Sequence, residues 1–273
     1  MNNLLQHIGV IGAGQMGAGI AAAFALHGYP VTLVDALQHA LDSAKDKVTA
    51  HLSKLSISID AVSFHSDLNI LANADIVIEA IPENVQLKHS LYDKLTKIVR
   101  SDTLIATNTS SFPISELAKT VANPERFIGI HFMNPVLKMD LVEIIPGALT
   151  NEHTLATAQS LITTIKKTAV ISTDRPGFIV NRLLIPMINQ AFKALDEGLA
   201  SKEDIDIALE KGTAFPMGPL KLADFIGLDT CLAIMETLHT AFPNEGYTPS
   251  PLLKHYVQQG TFGRKTKQGV YVY

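Results

Sequence analysis

Apolar and polar residues alternate in blocks along the first two thirds of the chain. Residues 7–11 form a short apolar run, residues 16–26 carry a helical apolar repeat, and residues 31–34 are apolar again. Short apolar runs bounded by turn signals read as buried strands, and longer periodic stretches as helices. A more polar helix follows over residues 37–55, then a strand over 75–80, a helix over 85–99 and a strand over 103–107. Two more strands flank Asn134-Pro135 within residues 126–145, before a helix over 152–166 and a strand over 168–172. This alternation predicts parallel strands joined by crossover helices.

The pattern changes at the turn signal Asp174-Arg175-Pro176-Gly177. Everything beyond it reads as helix. Residues 178–199 form a long apolar-rich helix that Pro186 is expected to kink. Ser201 is placed to cap the next helix, with Asp204 in the capping-box position. Two more helices are expected over residues 223–240 and 251–259. The fold class is thus α/β over residues 1–175, followed by an all-helical domain over 176–273.

Composition narrows the function classes. A hydrophobic fraction of 47% over 273 residues is ample for a buried core, and a charged fraction of 18% argues against disorder. The net charge of −4 gives no general reason to expect nucleic acid as a partner. The one cysteine, Cys231, excludes an intramolecular disulfide, and its apolar surroundings read as burial rather than nucleophilic use. No Cys/His spacing suggests a metal site. The first residues lack the basic region and apolar run of a signal peptide, and no span of about 20 residues is apolar enough for a membrane. A cytoplasmic protein without a membrane partner is expected.

Directly after the first strand, Gly12-Ala13-Gly14-Gln15-Met16-Gly17 matches G-x-G-x-x-G at the start of a helix. Gly12 permits the tight turn, Gly14 the approach of a pyrophosphate, and Gly17 close packing of helix on sheet. The helix N-terminus offers N–H groups and a positive dipole end to the phosphates. Asp35 ends the second strand, where a carboxylate binds the adenine ribose hydroxyls and repels a 2′-phosphate. The domain is read as Rossmann-like, with NAD favoured over NADP.

Residues 126–145, RFIGIHFMNPVLKMDLVEII, set His131 at the end of one apolar strand and Glu143 within the next. Burying either charge alone is costly, so each needs a partner. Facing one another, Glu143 would fix the imidazole tautomer and raise its basicity, making a general base; paired only for structure, they would do no chemistry. Asn108-Thr109-Ser110-Ser111 follow another strand, where ligands of open parallel sheets lie. Their hydroxyls would bind a substrate oxygen or cap the helix beginning near Pro113.

With these segments assembled, the chain resembles the L-3-hydroxyacyl-CoA dehydrogenase family, in particular its stand-alone bacterial 3-hydroxybutyryl-CoA dehydrogenases. The resemblance covers essentially the whole chain. It is carried by IGAGQMGAGIA, IEAIPEN, ATNTSS, GIHFMNPVLKMDLVEII, RPGFIVNRLLIPMINQA, FPMGPLKLADFIGLD and GRKTKQGVYVY, in that order. It implies that His131 takes the proton of the substrate 3-hydroxyl, that Glu143 orients it, and that Ser110 and Asn181 bind the 3-oxygen and thioester region. It also implies cofactor contacts at Gly12, Gly14, Met16, Gly17, Asp35, Glu83, Lys88, Ser110, Asn134 and Lys265. A homodimer through the helical domain, a site in the cleft between the domains and a place in fatty acid metabolism are implied likewise. Lys88 has a second reading, as part of a solvated helix face, and Asn181 as a cap or brace of its helix.

Two departures stand out. Thr266-Lys267 and Val270 differ from the family's usual glycine and aromatic residue in the terminal segment. Between Leu55 and Phe64 the chain also lacks the longer basic helical hairpin that relatives usually carry, retaining Lys45, Lys47 and Lys54 before it. Charge-assisted contacts of this kind contribute roughly 1.5–3 kcal/mol each. The acyl group would therefore arrive either on CoA, anchored by Lys54 and few other cations, or on the phosphopantetheine arm of an acyl carrier protein. The first is ranked ahead. A dehydrogenase of free hydroxy acids and a non-catalytic NAD-binding homologue are the remaining alternatives.

Overall fold

Six short strands run parallel: β1 (Ile8–Ile11), β2 (Val31–Val34), β3 (Val62–His65), β4 (Ile76–Glu79), β5 (Leu104–Thr107) and β6 (Phe127–Phe132). β7 (Leu141–Pro146) returns antiparallel to β6, and β8 (Thr168–Ile171) runs parallel to β7. The structure, a computed structural model, describes residues 7–54, 57–243 and 246–273. The sheet order β3-β2-β1-β4-β5-β6-β7-β8 reverses direction between β1 and β4. An open α/β sheet leaves its ligand crevice at that switch point, outside the strand C-termini.

Helices α1 (Gln15–Ala25), α2 (Gln38–Ser53), α3 (Val85–Leu95), α4 (Ile114–Leu117) and α5 (Glu152–Thr164) connect the strands. The small residues of α1 are almost all buried, which lets its axis lie close on the sheet. β3 is an edge strand that the apolar pattern did not reveal, because only Val62 of its four residues is buried. Leu55 and Ser56, the start of the shortened segment, lie outside the described residues. α3 ends at Leu95 rather than Val99, where the Thr96 hydroxyl turns back onto the Tyr92 carbonyl at 2.9 Å.

The chain divides into two compact units between Arg175 and Pro176. The second holds α6 (Val180–Asp196), α7 (Lys202–Gly212), α8 (Pro219–Ile226), α9 (Leu228–Ala241) and α10 (Pro251–Gln258). α6 begins two residues later than expected because Gly177 and Phe178 both take positive φ, and it continues through Pro186. The single helix expected over 223–240 is two, broken at Gly227, whose φ of 109° no helix accommodates. Ser201 caps α7, accepting the Asp204 N–H at 3.1 Å.

Two buried carboxylates tie the C-terminal segment to this unit. Asp206 accepts the N–H groups of Leu220 and Lys221 and the Tyr271 hydroxyl. Asp224 accepts the N–H groups of Val270 and Tyr271, both at 2.9 Å, and the Tyr273 hydroxyl at 3.1 Å. Val270 is buried here. Asp224→Ala would strand the two backbone donors, which cost about 1–3 kcal/mol each when unmet, so urea titration should read a loss of about 2–6 kcal/mol.

Candidate active site

The glycine loop joins β1 to α1 and has the shape its sequence predicts. Gly12 sits at φ 103°, and a Cβ there would lie 2.5 Å from the Ala80 carbonyl oxygen. A Cβ on Gly17 would lie 1.7 Å from the Gly12 carbonyl oxygen. A Cβ on Gly14 would meet nothing within 4 Å: it would project into open space. That cradle, at a helix N-terminus whose first N–H groups lack intrahelical acceptors, fits a pyrophosphate. Met16 lies in the first turn of α1 and packs against the core. Asp35 braces the loop, its carboxylate accepting the Ala13 N–H at 2.7 Å and the Leu37 N–H at 2.9 Å.

His131 and Glu143 are register partners across β6 and β7. Directly opposed residues of an antiparallel pair project from the same face, and here His131 Nδ1 lies 2.7 Å from Glu143 Oε2. Glu143 is fully buried and the imidazole nearly so. An ionised carboxylate only accepts, so the bond calls for a proton on Nδ1 and leaves the basic lone pair on Nε2. The end of β6 is held by Asn108, whose side-chain oxygen accepts the Phe132 N–H at 2.8 Å. After His131, Asn134 accepts from the Gln15 amide at 2.8 Å, linking this segment to the glycine loop. Lys167 clamps the same segment through the Val136 and Met139 carbonyls, each at 2.8 Å. Burial lowers the pKa of that ammonium.

The loop after β5 is built on two carboxylates. Glu83 accepts the Ser110 N–H at 2.6 Å, the Ser110 hydroxyl at 3.2 Å and the Thr109 hydroxyl at 2.8 Å. Lys88, read first as a cofactor contact and second as part of a solvated helix face, is 1% exposed, which removes the second reading, and reaches Glu79 at 2.6 Å and Glu83 at 3.3 Å. Glu79 also accepts the Tyr92 hydroxyl at 2.6 Å and the Thr107 hydroxyl at 2.8 Å. Burial, then the charge of Glu79, holds the Tyr92 hydroxyl well above its ordinary pKa, so it serves as a donor. The hydroxyls of residues 109–111 do not cap α4. Asp174 does so from 60 residues away, accepting the Ile114 and Ser115 N–H groups at 2.6 and 2.8 Å. Nothing local in the sequence signals that role.

Lys54 is exposed at the C-cap of α2, as are Lys45 and Lys47 on that helix. In the helical unit, Asn181 is half-buried in the first turn of α6, whose cap position belongs to Ile179. Lys265 forms an ion pair with Asp229 and lies 5.6 Å over the Phe262 ring. Cys231 is buried, and burial pushes its thiol up to about 12, which leaves it inert as a nucleophile. Among the described residues no His, Cys, Asp or Glu cluster could hold a metal ion, and no helix is long and apolar enough to cross a membrane.

Comparison with known proteins decides the family. The profile of the 3-hydroxyacyl-CoA dehydrogenase NAD-binding domain matches residues 7–175, and that of its C-terminal domain matches residues 177–273. The chain belongs to the 3-hydroxyacyl-CoA dehydrogenase family. It is 45% identical to the probable 3-hydroxybutyryl-CoA dehydrogenase of Deinococcus radiodurans, over 97% of this chain and 99% of that one. It is 43% identical to the 3-hydroxybutyryl-CoA dehydrogenase of Bradyrhizobium diazoefficiens, over 100% and 97%. The crystal structure of (S)-3-hydroxybutyryl-CoA dehydrogenase from Ralstonia eutropha superposes with a TM-score of 0.95 at 42% identity, covering 99% of each chain. The chain is thus an NAD-dependent oxidoreductase of this family, with its NAD-binding domain over residues 7–175.

The bracing of Asp35 carries a prediction. Asp35→Ser removes the carboxylate expected from the sequence to discriminate against a 2′-phosphate. A charge-assisted hydrogen bond contributes roughly 1.5–3 kcal/mol, so the preference for NADH over NADPH in kcat/KM should drop by about tenfold or more.

Proposed function

We propose that the chain transfers a hydride between NAD and C3 of a short-chain 3-hydroxyacyl or 3-oxoacyl CoA thioester, with His131 as general base. The observation that carries this reading is the 2.7 Å bond between His131 Nδ1 and Glu143 at the C-terminal end of β6. Glu143 holds the ring in one tautomer and stabilises the imidazolium. Nε2 then takes the proton of the 3-hydroxyl, or returns it in the reverse direction. NAD, when bound, supplies or accepts the hydride. Ser110, whose N–H stays on Glu83, turns its one hydroxyl proton from Glu83 to the substrate 3-oxygen, and Asn181 is assigned a contact with the acyl group on family resemblance. Gly12, Gly14, Met16, Gly17, Asp35, Glu83, Lys88, Asn134 and Lys265 are assigned to the cofactor.

The CoA thioester is favoured by the relatives, whose names specify 3-hydroxybutyryl-CoA. A carrier-protein thioester is the second reading, and the observation favouring it is the short connection from α2 to β3, where Lys54 is the last cation before the strand. We further propose a cytoplasmic homodimer in fatty acid metabolism, assembled through the helical unit. There Leu183 is 71% and Leu199 76% exposed, and Phe215 and Phe225 add apolar surface.

Following NADH absorbance with acetoacetyl-CoA, its acyl-carrier-protein equivalent and free acetoacetate tests the substrate. Fastest turnover with acetoacetyl-CoA supports the ranking, preference for the carrier-bound form reverses it, and equal rates with the free acid remove both thioester readings.

A further inference from the structure

Glu79 has no role in the reading above, yet it is fully buried at the last position of β4 and surrounded by donors. Its Oε1 accepts Lys88 Nζ at 2.6 Å and the Ile81 N–H at 2.7 Å. Its Oε2 accepts the Tyr92 hydroxyl at 2.6 Å and the Thr107 hydroxyl at 2.8 Å. These contacts use essentially the full accepting capacity of a carboxylate. For stability alone, apolar residues of similar volume would often serve as well as a buried ion pair.

The bonds close a ring around the substrate loop. On one side the Thr107 hydroxyl donates to Glu79 and accepts the Thr109 N–H at 3.2 Å. On the other, Lys88 spans from Glu79 to Glu83 at 3.3 Å, and Glu83 grips both the N–H and the hydroxyl of Ser110. Lys88 lies between two carboxylates. Without Glu79, it would be drawn to Glu83 alone, and the acceptor that aims Ser110 would move with it.

We infer that Glu79 is a positioning residue for Ser110, acting through Thr107 on one side and through Lys88 and Glu83 on the other. The inference rests on the proposed role of Ser110 as a substrate contact. Glu79 touches neither substrate nor cofactor in this scheme. It fixes the loop before either arrives.

The test compares wild type with Glu79→Gln, Ser110→Ala and the double variant. In the cofactor-free enzyme, hydrogen exchange at residues 107–112 should quicken by about tenfold or more in Glu79→Gln while β1 and α1 keep their protection. In turnover, Glu79→Gln should lower kcat by about 10- to 30-fold with KM for the acyl thioester within about threefold, and cost under about threefold more when Ser110 is already alanine. Unchanged loop exchange in a folded variant, or losses that simply multiply, would overturn the inference. Ser110→Ala at full rate would instead remove the substrate role of Ser110, while loop exchange still decides whether Glu79 positions it. If Glu79→Gln does not fold, Glu79→Met with Lys88→Met removes both charges at similar volume and should show the same loosened loop; an unchanged loop there overturns the inference equally.

Discussion

His131→Ala lowers kcat for reduction of the acyl thioester by about 100- to 10,000-fold, the range of a lost general acid–base, and leaves KM for NADH within about threefold. The expectation follows from where the imidazole stands. Its Nδ1 is committed to Glu143 at 2.7 Å, so the ring has one tautomer and one atom, Nε2, with which to exchange protons. The side chain belongs to β6 and not to the glycine loop between β1 and α1, so the phosphate cradle is left intact. Glu143→Gln keeps the volume but loses the charge that stabilises the imidazolium, and its loss should fall between wild type and His131→Ala. A His131→Ala enzyme with near-full activity would remove the histidine from the chemistry.

Gly17→Ala is the second large effect, and it acts on the cofactor instead. The added methyl carbon would lie 1.7 Å from the Gly12 carbonyl oxygen, so helix or loop must shift. Overpacking costs about 1–3 kcal/mol, and each 1.4 kcal/mol is tenfold, so NADH affinity read by fluorescence titration should fall by about 10- to 100-fold. The acyl-thioester KM at saturating NADH should move much less. An unchanged NADH affinity would mean that the loop does not carry the pyrophosphate.

The features that the sequence made legible are those whose partners are near in the chain or follow a period. The glycine loop is one contiguous motif, and its strand, helix and Asp35 follow within one βαβ repeat. His131 and Glu143 became readable because two apolar strands each held a single titratable residue; that they are register partners required the structure. Edge strand β3 was missed because three of its four residues keep some exposure, which erases the apolar run. The break at Gly227 was missed because apolar periodicity continues across it while the backbone does not. Glu79 has no reading of its own within the strand expected over 75–80, because its partners Ile81, Lys88, Tyr92 and Thr107 follow no common period and meet it only in the fold. Asp174 reads as part of a turn because the helix it caps begins 60 residues earlier.

Lys88 shows how burial changes a reading that composition leaves open. A lysine three residues into a polar-looking helix has no local mark of burial. Its ammonium is nonetheless enclosed by Glu79 and Glu83, which turns a residue resembling solvated surface into part of the scaffold under Ser110.

The most direct measurement is the fate of the transferred hydrogen. With NADH deuterated at both C4 positions and acetoacetyl-CoA as acceptor, mass spectrometry of the product should find one deuterium, bound at C3 of the 3-hydroxybutyryl group. Oxidation of NADH with only protium at C3, or no product from the thioester at all, would contradict hydride transfer to that carbon.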